Sequence, residues 1–241
     1  MNPKKNISNR CKYIRLSYTL NSNSPLHPDL KEPRITPKNQ ILTGGNYNTS
    51  IITVENHSGT HVDAPAHFLK DGKIISDYSA DELVFYNSII WDCPKNRDEL
   101  INKQDISHFL SKNKVLIKNI DCLLLRTGFG TYHDENAKIY STQNPGISPG
   151  AVFYLRCQLP NLACLGIDTI SMSRYGRMKE SIEVHQNAFM NVASLGKPLV
   201  LVEDLDLRVV GEGTELIKVL VVPWQVDAID SAPCTVLAQI N

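Results

Sequence analysis

HSGTHVDAPAHF, residues 57–68, is the stretch of this 241-residue chain that decides its interpretation. Its potential metal ligands are separated by even numbers of positions: His57, His61, Asp63 and His67. Side chains of an extended strand alternate between its faces, so this spacing predicts that all four point to one side. A helix would turn Asp63 away from the first two histidines, and Pro65 would break it.

Three imidazoles and a carboxylate on one side of an extended ribbon indicate a metal site. Nitrogen and oxygen donors of this kind suit borderline divalent metals such as zinc. Buried together without a partner, these polar groups would cost several kcal/mol, and a bound cation removes that cost. The alternative is that the histidines are surface residues or satisfied core residues. Their clustering favours the metal site.

The same stretch resembles the signature of the cyclase family, the metal-dependent hydrolases that include bacterial kynurenine formamidase and isatin hydrolase. The family pattern reads H-x-G-T-H-x-D-x-P-x-H-F, and every fixed position is present. Further similar stretches follow in the expected order: 13–20, 24–28, 123–128, 144–149 and 165–171. The resemblance extends over residues 13–207. It implies an α/β fold of the swivelling β/β/α type.

Local patterns predict a mixed β-sheet core with a few covering helices, in one domain spanning residues 1–241. Runs of apolar and β-branched residues predict strands at 50–55, 88–92, 122–126, 162–167, 198–202, 216–222 and 234–240. Helices are expected at 105–112 and from Ser148-Pro149 to about Leu159. The strand at 50–55 is expected to run directly into the metal motif. Residues 21–50 and 128–144 are expected to be long loops.

Composition excludes several classes of protein. Lys plus Arg and Asp plus Glu both number 25, so no basic surface indicates nucleic-acid binding. The polar start of the chain and the absence of long apolar runs predict neither a signal peptide nor a membrane span. We therefore expect a cytoplasmic protein. The six cysteines have no C-x-x-C spacing and are expected to be reduced, buried, small apolar residues.

The resemblance implies a ligand set that continues beyond the motif. In the family, the aspartate corresponding to Asp63 bridges two cations, and a late histidine and glutamate complete the set. The matching candidates are His185 and Glu203. The gap between them is longer than the family pattern, with the insertion at about 188–196. The alternative ligands are Glu183 and Asp204, with His185 as an exposed helix residue or Glu203 as a surface acid.

Two further histidines receive roles from the resemblance. His67 corresponds to the acid–base group, with a histidine that merely orients a ligand as the alternative. His27 lies where the related formamidases carry an aromatic residue that contacts the substrate. Tyr175 and Phe129 are candidates for an apolar wall, although ordinary packing is the favoured explanation for both. The histidines without nearby ligand partners, His108 and His133, are expected at the surface.

These assignments predict a hydrolase of a C–N bond in an N-formyl amide or a small cyclic amide. The reaction would use water activated by one or two divalent ions, Zn²⁺ or Mn²⁺. The alternatives are hydrolysis or closure of a lactone, and a metal that only stabilises the fold. The expected partner is a small-molecule substrate. The resemblance also implies a homodimer or homotetramer, with loops of a neighbouring subunit near the pocket.

Overall fold

A mixed β-sheet forms the centre of the fold in the computed structural model, which describes residues 12–113 and 119–241. The strands are β1 (Lys12–Arg15), β2 (Arg34–Asn39), β3 (Thr49–Thr53), β4 (His61–Asp63), β5 (Val84–Phe85), β6 (Ser88–Asp92), β7 (Leu100–Ile101), β8 (Cys122–Arg126), β9 (Gly146–Ile147), β10 (Cys164–Ile167), β11 (Val200–Glu203), β12 (Leu216–Pro223) and β13 (Ser231–Ile240). The α-helices are α1 (Lys103–Lys112), α2 (Thr131–Glu135), α3 (Ala137–Thr142), α4 (Pro149–Gln158) and α5 (Met178–Phe189). Short 3₁₀ helices include Ile41–Thr43, Pro65–His67, Ile75–Asp77, Ala80–Leu83, Ala193–Leu195 and Leu207–Val209.

Nine of the described strands join in one sheet, in the order β5-β12-β13-β4-β11-β10-β8-β6, with β1 paired to the end of β13. Strands β6, β8, β10 and β11 run parallel, whereas β4, β12 and β13 pair antiparallel. The sheet curls, so that β12 near one end contacts β6 at the other. The predicted fold class, an α/β fold with a mixed sheet and few helices, is confirmed.

Alternation along the central strands divides the apolar residues between two cores. Leu123 and Leu125 of β8 pack with the helices α1, α4 and α5, whereas Cys122 and Leu124 pack on the opposite face. Strand β8 is therefore buried on both faces, which is the arrangement that its continuous apolar sequence predicts. The helices cover one face, and the curl of the sheet encloses the other.

Several elements lie where the sequence predicts them. Strands β6 and β8 have the predicted bounds. Helix α4 follows Ser148, whose side chain accepts a hydrogen bond from the amide of Ala151, with proline at the first helical position. Helix α1 begins two residues earlier than predicted, because Asn102 caps it by accepting from the amides of Gln104 and Asp105.

Both predicted loops were wrong, and so was the predicted entry into the metal motif. Residues 21–50 contain β2, which pairs with β3 in a separate, largely exposed hairpin. Because both faces of this hairpin meet solvent, its sequence lacks the alternation that marks a half-buried strand. Strand β3 ends at Thr53, before the motif. Residues 128–144 contain the short helices α2 and α3, of which α3 is capped by Asn136.

The cysteines largely follow the prediction. Those that are free and buried are Cys93, Cys122, Cys164 and Cys234. Cys157 is free but exposed, so the prediction of burial is wrong there, and Cys11 lies outside the described residues. Among the described residues, no helix is long and apolar enough to cross a bilayer.

Arg156 of α4 connects the helices behind the sheet. Its side chain is fully buried, and its guanidinium Nη1 donates to the carbonyls of Asn187 and Met190 at 2.8 and 2.9 Å. Its Nη2 donates to the carbonyl of Lys197 at 3.0 Å. The arginine thereby holds the end of α5 and the segment that follows it against α4.

Replacing this buried donor leaves several carbonyls without a partner, and each unsatisfied group costs about 1–3 kcal/mol. We expect Arg156→Met to lower the free energy of unfolding by about 3 kcal/mol in urea denaturation. Arg97→Met is the matched control, because the hydrogen bonds from the Arg97 guanidinium to side chains are 3.4 Å long and exposed. Equal losses in the two variants would contradict the role of Arg156.

Candidate metal centre

The metal motif is not one extended ribbon, so that prediction was wrong in its geometry. Only His61 and Asp63 lie on a strand, β4, which is three residues long and places both on one face. His57 lies in the turn before it, where Gly59 adopts a φ of 65°. His67 ends the 3₁₀ helix that Pro65 begins. Two turns therefore bend the chain around the strand.

These turns nevertheless bring the motif side chains together. The Nδ1 atom of His57 lies 3.1 Å from Oδ1 of Asp63, and Nε2 of His61 lies 3.4 Å from the same oxygen. The ring centroids of His57 and His67 are 4.2 Å apart. All four side chains that the spacing singled out thus share one centre, although the backbone that carries them is curved.

Strand pairing adds Glu203 to this centre. β4 lies between β11 and β13, and its register places Glu203 directly opposite His61. Oε2 of Glu203 is 3.4 Å from Nε2 of His61. Its Oε1 accepts from the amide of Met172 at 2.6 Å, which fixes the carboxylate. Glu203 is 5 % exposed, so it is not a surface acid.

Helix α5 brings His185 to the same carboxylates. The His185 side chain is buried, and its Nε2 lies 3.6 Å from Oε1 of Glu203 and 3.9 Å from Oδ2 of Asp63. The two alternative ligands point elsewhere. Glu183 is exposed and lies 3.9 Å from Lys179. The carboxylate of Asp204 accepts a hydrogen bond from the Tyr140 hydroxyl.

Backbone carbonyls set the tautomers of the buried imidazoles. Nδ1 of His61 lies 2.8 Å from the carbonyl of Gly59, and Nδ1 of His185 lies 2.7 Å from that of Ser181. Each Nδ1 therefore carries the hydrogen, because a carbonyl only accepts. In the neutral rings Nε2 is therefore the nitrogen whose lone pair is available to a cation, which is how outer hydrogen bonds orient the histidines of metal sites.

The donor set fits a divalent cation. Nε2 of His61 and both carboxylate oxygens of Asp63 are buried without a hydrogen-bond partner. Such orphaned atoms are costly unless something else satisfies them. Ligand atoms about 2.0–2.2 Å from a tetrahedral cation lie about 3.4 Å apart, and the spacings of 3.1–3.9 Å in this cluster are close to that value. Imidazole with carboxylate suits Zn²⁺ and also Mn²⁺.

Two overlapping groups of potential ligand atoms share Asp63. The atoms of His57, Asp63 and His67 lie within 4.8 Å of one another, as do those of His61, Asp63 and Glu203. This arrangement is compatible with one ion or with two.

Neighbouring carboxylates raise the pKa values of the imidazoles. Burial lowers the pKa of His57, but the charge of Asp63 and hydrogen bonds to Asp230 and Asp63 outweigh burial and raise it to about 10. Burial also lowers the pKa values of His61 and His185, but the nearby carboxylates outweigh it, so that both pKa values are raised. Because the pKa values are raised, a binding cation competes with protons for these nitrogens.

Sequence reasoning missed Asp230. Its Oδ2 lies 2.6 Å from Nδ1 of His67 and 3.5 Å from Nε2 of His57. Hydrogen bonds to these two histidines lower the pKa of Asp230. No local spacing could have indicated the contact, because 163 positions separate Asp230 from His67.

A cavity of about 300 Å³ is lined by residues next to the cluster. His27 lies in its wall, where its ring meets the edge of Tyr175 at a centroid distance of 5.3 Å. Two other lining residues contact candidate ligands. The Ser171 hydroxyl lies 3.3 Å from Oε1 of Glu203, and Ser181 holds His185. Phe129 instead packs in a separate group with Tyr140 and Ile170.

The two remaining histidines differ in exposure. His108 is exposed on α1, as expected. The expectation that His133 is a surface residue was wrong, since its side chain is 10 % exposed. It stacks on Tyr18, in the segment that follows β1, with 3.6 Å between the ring centroids. Such packing depends on contacts that sequence spacing does not reveal.

With this geometry established, the comparisons with known proteins define the class. The cyclase family matches residues 14–174, and the chain belongs to this family. His185 and Glu203 lie beyond the matched part.

Two sequence relatives illustrate the family. An uncharacterized protein of Haemophilus influenzae is 32% identical over 134 residues, which cover 56% of this chain and 89% of that protein. The kynurenine formamidase of Bacillus mycoides is 29% identical over 120 residues. That match covers 47% of this chain and 53% of the formamidase, or about half of each.

Solved structures share the fold over nearly the whole chain. Isatin hydrolase A from Labrenzia aggregata, bound to benzyl benzoate, superposes with a TM-score of 0.78 at 20% identity, covering 95% of this chain and 94% of that one. For isatin hydrolase A from Ralstonia solanacearum the TM-score is 0.78 at 17% identity, and the match covers 96% of this chain and 92% of that one. For a potential metal-dependent hydrolase with cyclase activity the TM-score is 0.70 at 23% identity, and the match covers 96% of this chain and 98% of that one. The fold is therefore that of metal-dependent hydrolases of the cyclase family.

Replacing a candidate ligand tests the centre directly. Loss of an outer hydrogen-bond partner typically weakens metal binding by about 10–100-fold. Because Glu203 is a candidate ligand itself, we expect Glu203→Gln to weaken Zn²⁺ binding by about 100-fold or more. Competition with a chromophoric chelator measures the affinity. Glu183→Gln is the matched control, because Glu183 is exposed and was the alternative ligand. A larger effect of the control substitution would place the ligand at Glu183 instead.

Proposed function

We propose that this protein hydrolyses a C–N bond in an amide, such as an N-formyl amide or a small cyclic amide. The observation that carries the proposal is a buried set of nitrogen and oxygen donors that is partly orphaned. Two of its residues, Glu203 and His185, are contacted by Ser171 and Ser181, which line a cavity of about 300 Å³. The names of the related formamidase and isatin hydrolases support an amide substrate. A non-catalytic metal site would favour thiolate ligands and four protein donors closed around the ion.

The proposed metal ligands are His57, His61, Asp63, His185 and Glu203. A divalent cation in this position would supply a water of lowered pKa and polarise the substrate carbonyl. His67 acts as the acid–base group, because an imidazole can move a proton near neutral pH. Its Nδ1 is held by Asp230, which leaves Nε2 to accept a proton from the attacking water and to pass it to the departing nitrogen. His27 contacts the substrate together with Tyr175.

The test uses purified protein loaded with Zn²⁺ or Mn²⁺ and a panel of formyl anilides, cyclic imides, isatins and lactones. We expect turnover of amides, loss of activity with a chelator and recovery when metal is restored. Persistence of activity in metal-free protein would overturn the scheme. Activity on lactones alone would show that the protein is a lactone hydrolase and not an amide hydrolase. Tight metal binding without any turnover would favour a structural metal.

The role of His67 needs a variant of its own. We expect His67→Ala to keep its metal content and to lose kcat by about 10²–10⁴-fold, the usual contribution of general acid–base catalysis. Metal analysis accompanies the kinetics. His108→Ala, an exposed histidine on α1, is expected to leave kcat unchanged. Full activity of His67→Ala would remove His67 from the mechanism.

We also propose that the chain associates as a homodimer or homotetramer. The hairpin of β2 and β3 and its connection expose several large apolar side chains: Ile35, Ile41, Leu42, Tyr47, Ile51 and Ile52. Leu42 is 93 % exposed. Groups of exposed apolar residues of this kind mark interaction surfaces.

Sedimentation equilibrium tests the association. We expect a mass of at least two chains, and a shift toward one chain in Leu42→Glu, because a charge on the apolar surface opposes its burial. Val222→Glu, at a half-exposed position on β12, is the control. A single-chain mass for the unaltered protein at all concentrations would contradict the proposal.

A further inference from the structure

Asp230 is fixed beside the metal motif by its own backbone. It immediately precedes β13, whose first residue, Ser231, lies opposite Asp63 in the sheet. The carbonyl of Asp230 accepts from the amide of Ala64 at 2.8 Å. The position of this residue relative to β4 is therefore set by the sheet and not by a loop alone.

The two oxygens of the Asp230 carboxylate have different partners. Oδ1 accepts from Nδ2 of Asn56 at 3.0 Å, which orients the group. Oδ2 faces Nδ1 of His67 at 2.6 Å. The side chain is 31 % exposed, so water competes only partly for these bonds.

Ser231 completes the arrangement around the neighbouring histidine. Its hydroxyl lies 2.9 Å from Nε2 of His57 and accepts from Nδ2 of Asn56 at 2.6 Å. His57 thus has a hydrogen-bond partner at Nε2 other than Asp230. Oδ2 of Asp230 lies 3.5 Å from Nε2 of His57 but only 2.6 Å from Nδ1 of His67. The principal contact of Asp230 is with His67.

A carboxylate only accepts hydrogen bonds, so this contact places the hydrogen of the neutral His67 ring on Nδ1. Nε2 is then the nitrogen that exchanges a proton during turnover. The negative charge also stabilises the imidazolium that forms transiently, which is the general role of a third group that orients a catalytic base.

We propose that Asp230 is a positioning residue that fixes the ring orientation and the Nδ1–H tautomer of His67. The inference rests on the proposed function for its kinetic consequence. The tautomer itself can be measured without substrate.

The kinetic test compares Asp230→Asn with the unaltered protein, both loaded with Zn²⁺. We expect equal metal content, a kcat lower by about 10–100-fold and a KM within about twofold, because Asp230 acts through His67 and not on substrate binding. The decrease in kcat is expected to be smaller for anilides with electron-poor leaving groups, because their nitrogen departs with less protonation. Asp227→Asn is the matched control, because Asp227 lies on the same segment and contacts Ser76 instead.

A double variant separates positioning from an independent role. In the His67→Ala background, Asp230→Asn is expected to change kcat by no more than about twofold, because its effect requires the imidazole. A full additional loss in that background would overturn the proposal. Loss of bound Zn²⁺ in Asp230→Asn would also overturn it, because Asp230 would then be a ligand.

The measurement that does not depend on activity is the tautomer of His67 by two-bond ¹H–¹⁵N NMR in the Zn²⁺-loaded protein. We expect the Nδ1–H form, with a population that decreases in Asp230→Asn and is unchanged in Asp227→Asn. An Nε2–H form in the unaltered protein would refute the positioning role. Absence of amide hydrolysis together with the Nδ1–H form would refute the proposed function while leaving the contact intact.

Discussion

Two buried carboxylates beside buried imidazoles are the constraint on which the rest of the structure depends. Asp63 is 1 % exposed and Glu203 is 5 % exposed, so neither can rely on water for solvation. Buried charges are tolerated when opposite charge and hydrogen bonds compensate them. The imidazoles supply part of this compensation, but the orphaned oxygens of Asp63 show that it is incomplete. A divalent cation bound here would satisfy the same atoms, which would link the stability of this region to its chemistry.

The sheet topology makes this cluster possible. β4 is only three residues long, yet it lies between β11 and β13, and each neighbour contributes to the site. β11 ends at Glu203, and β13 begins beside Asp230. Helix α5, held to α4 by Arg156, closes the cluster with His185. Ligands carried by strands and a packed helix are held more rigidly than ligands on loops, whereas the cavity wall around His27 lies on irregular segments.

The predictable part of the fold is the part with strong local signals. Strand β8 is a continuous apolar run, and α4 begins with a serine cap followed by proline, so both follow from neighbouring residues alone. The hairpin of β2 and β3 is exposed on both faces, and α2 and α3 span one or two turns. Elements of that kind bury little apolar surface, so their sequences carry no hydrophobic period to detect.

For the site, the sequence alone determined which side chains could form a metal centre. The spacing of His57, His61, Asp63 and His67, together with the family pattern around them, is sufficient to indicate the chemistry. The tertiary structure decided how they converge, through two turns around a short strand, and that His185 is buried while Asp204 turns away. It also decided that Asp230 meets His67. Those outcomes depend on pairing between strands and packing of a helix far apart in the chain, and neither interaction leaves a short-range pattern in the sequence.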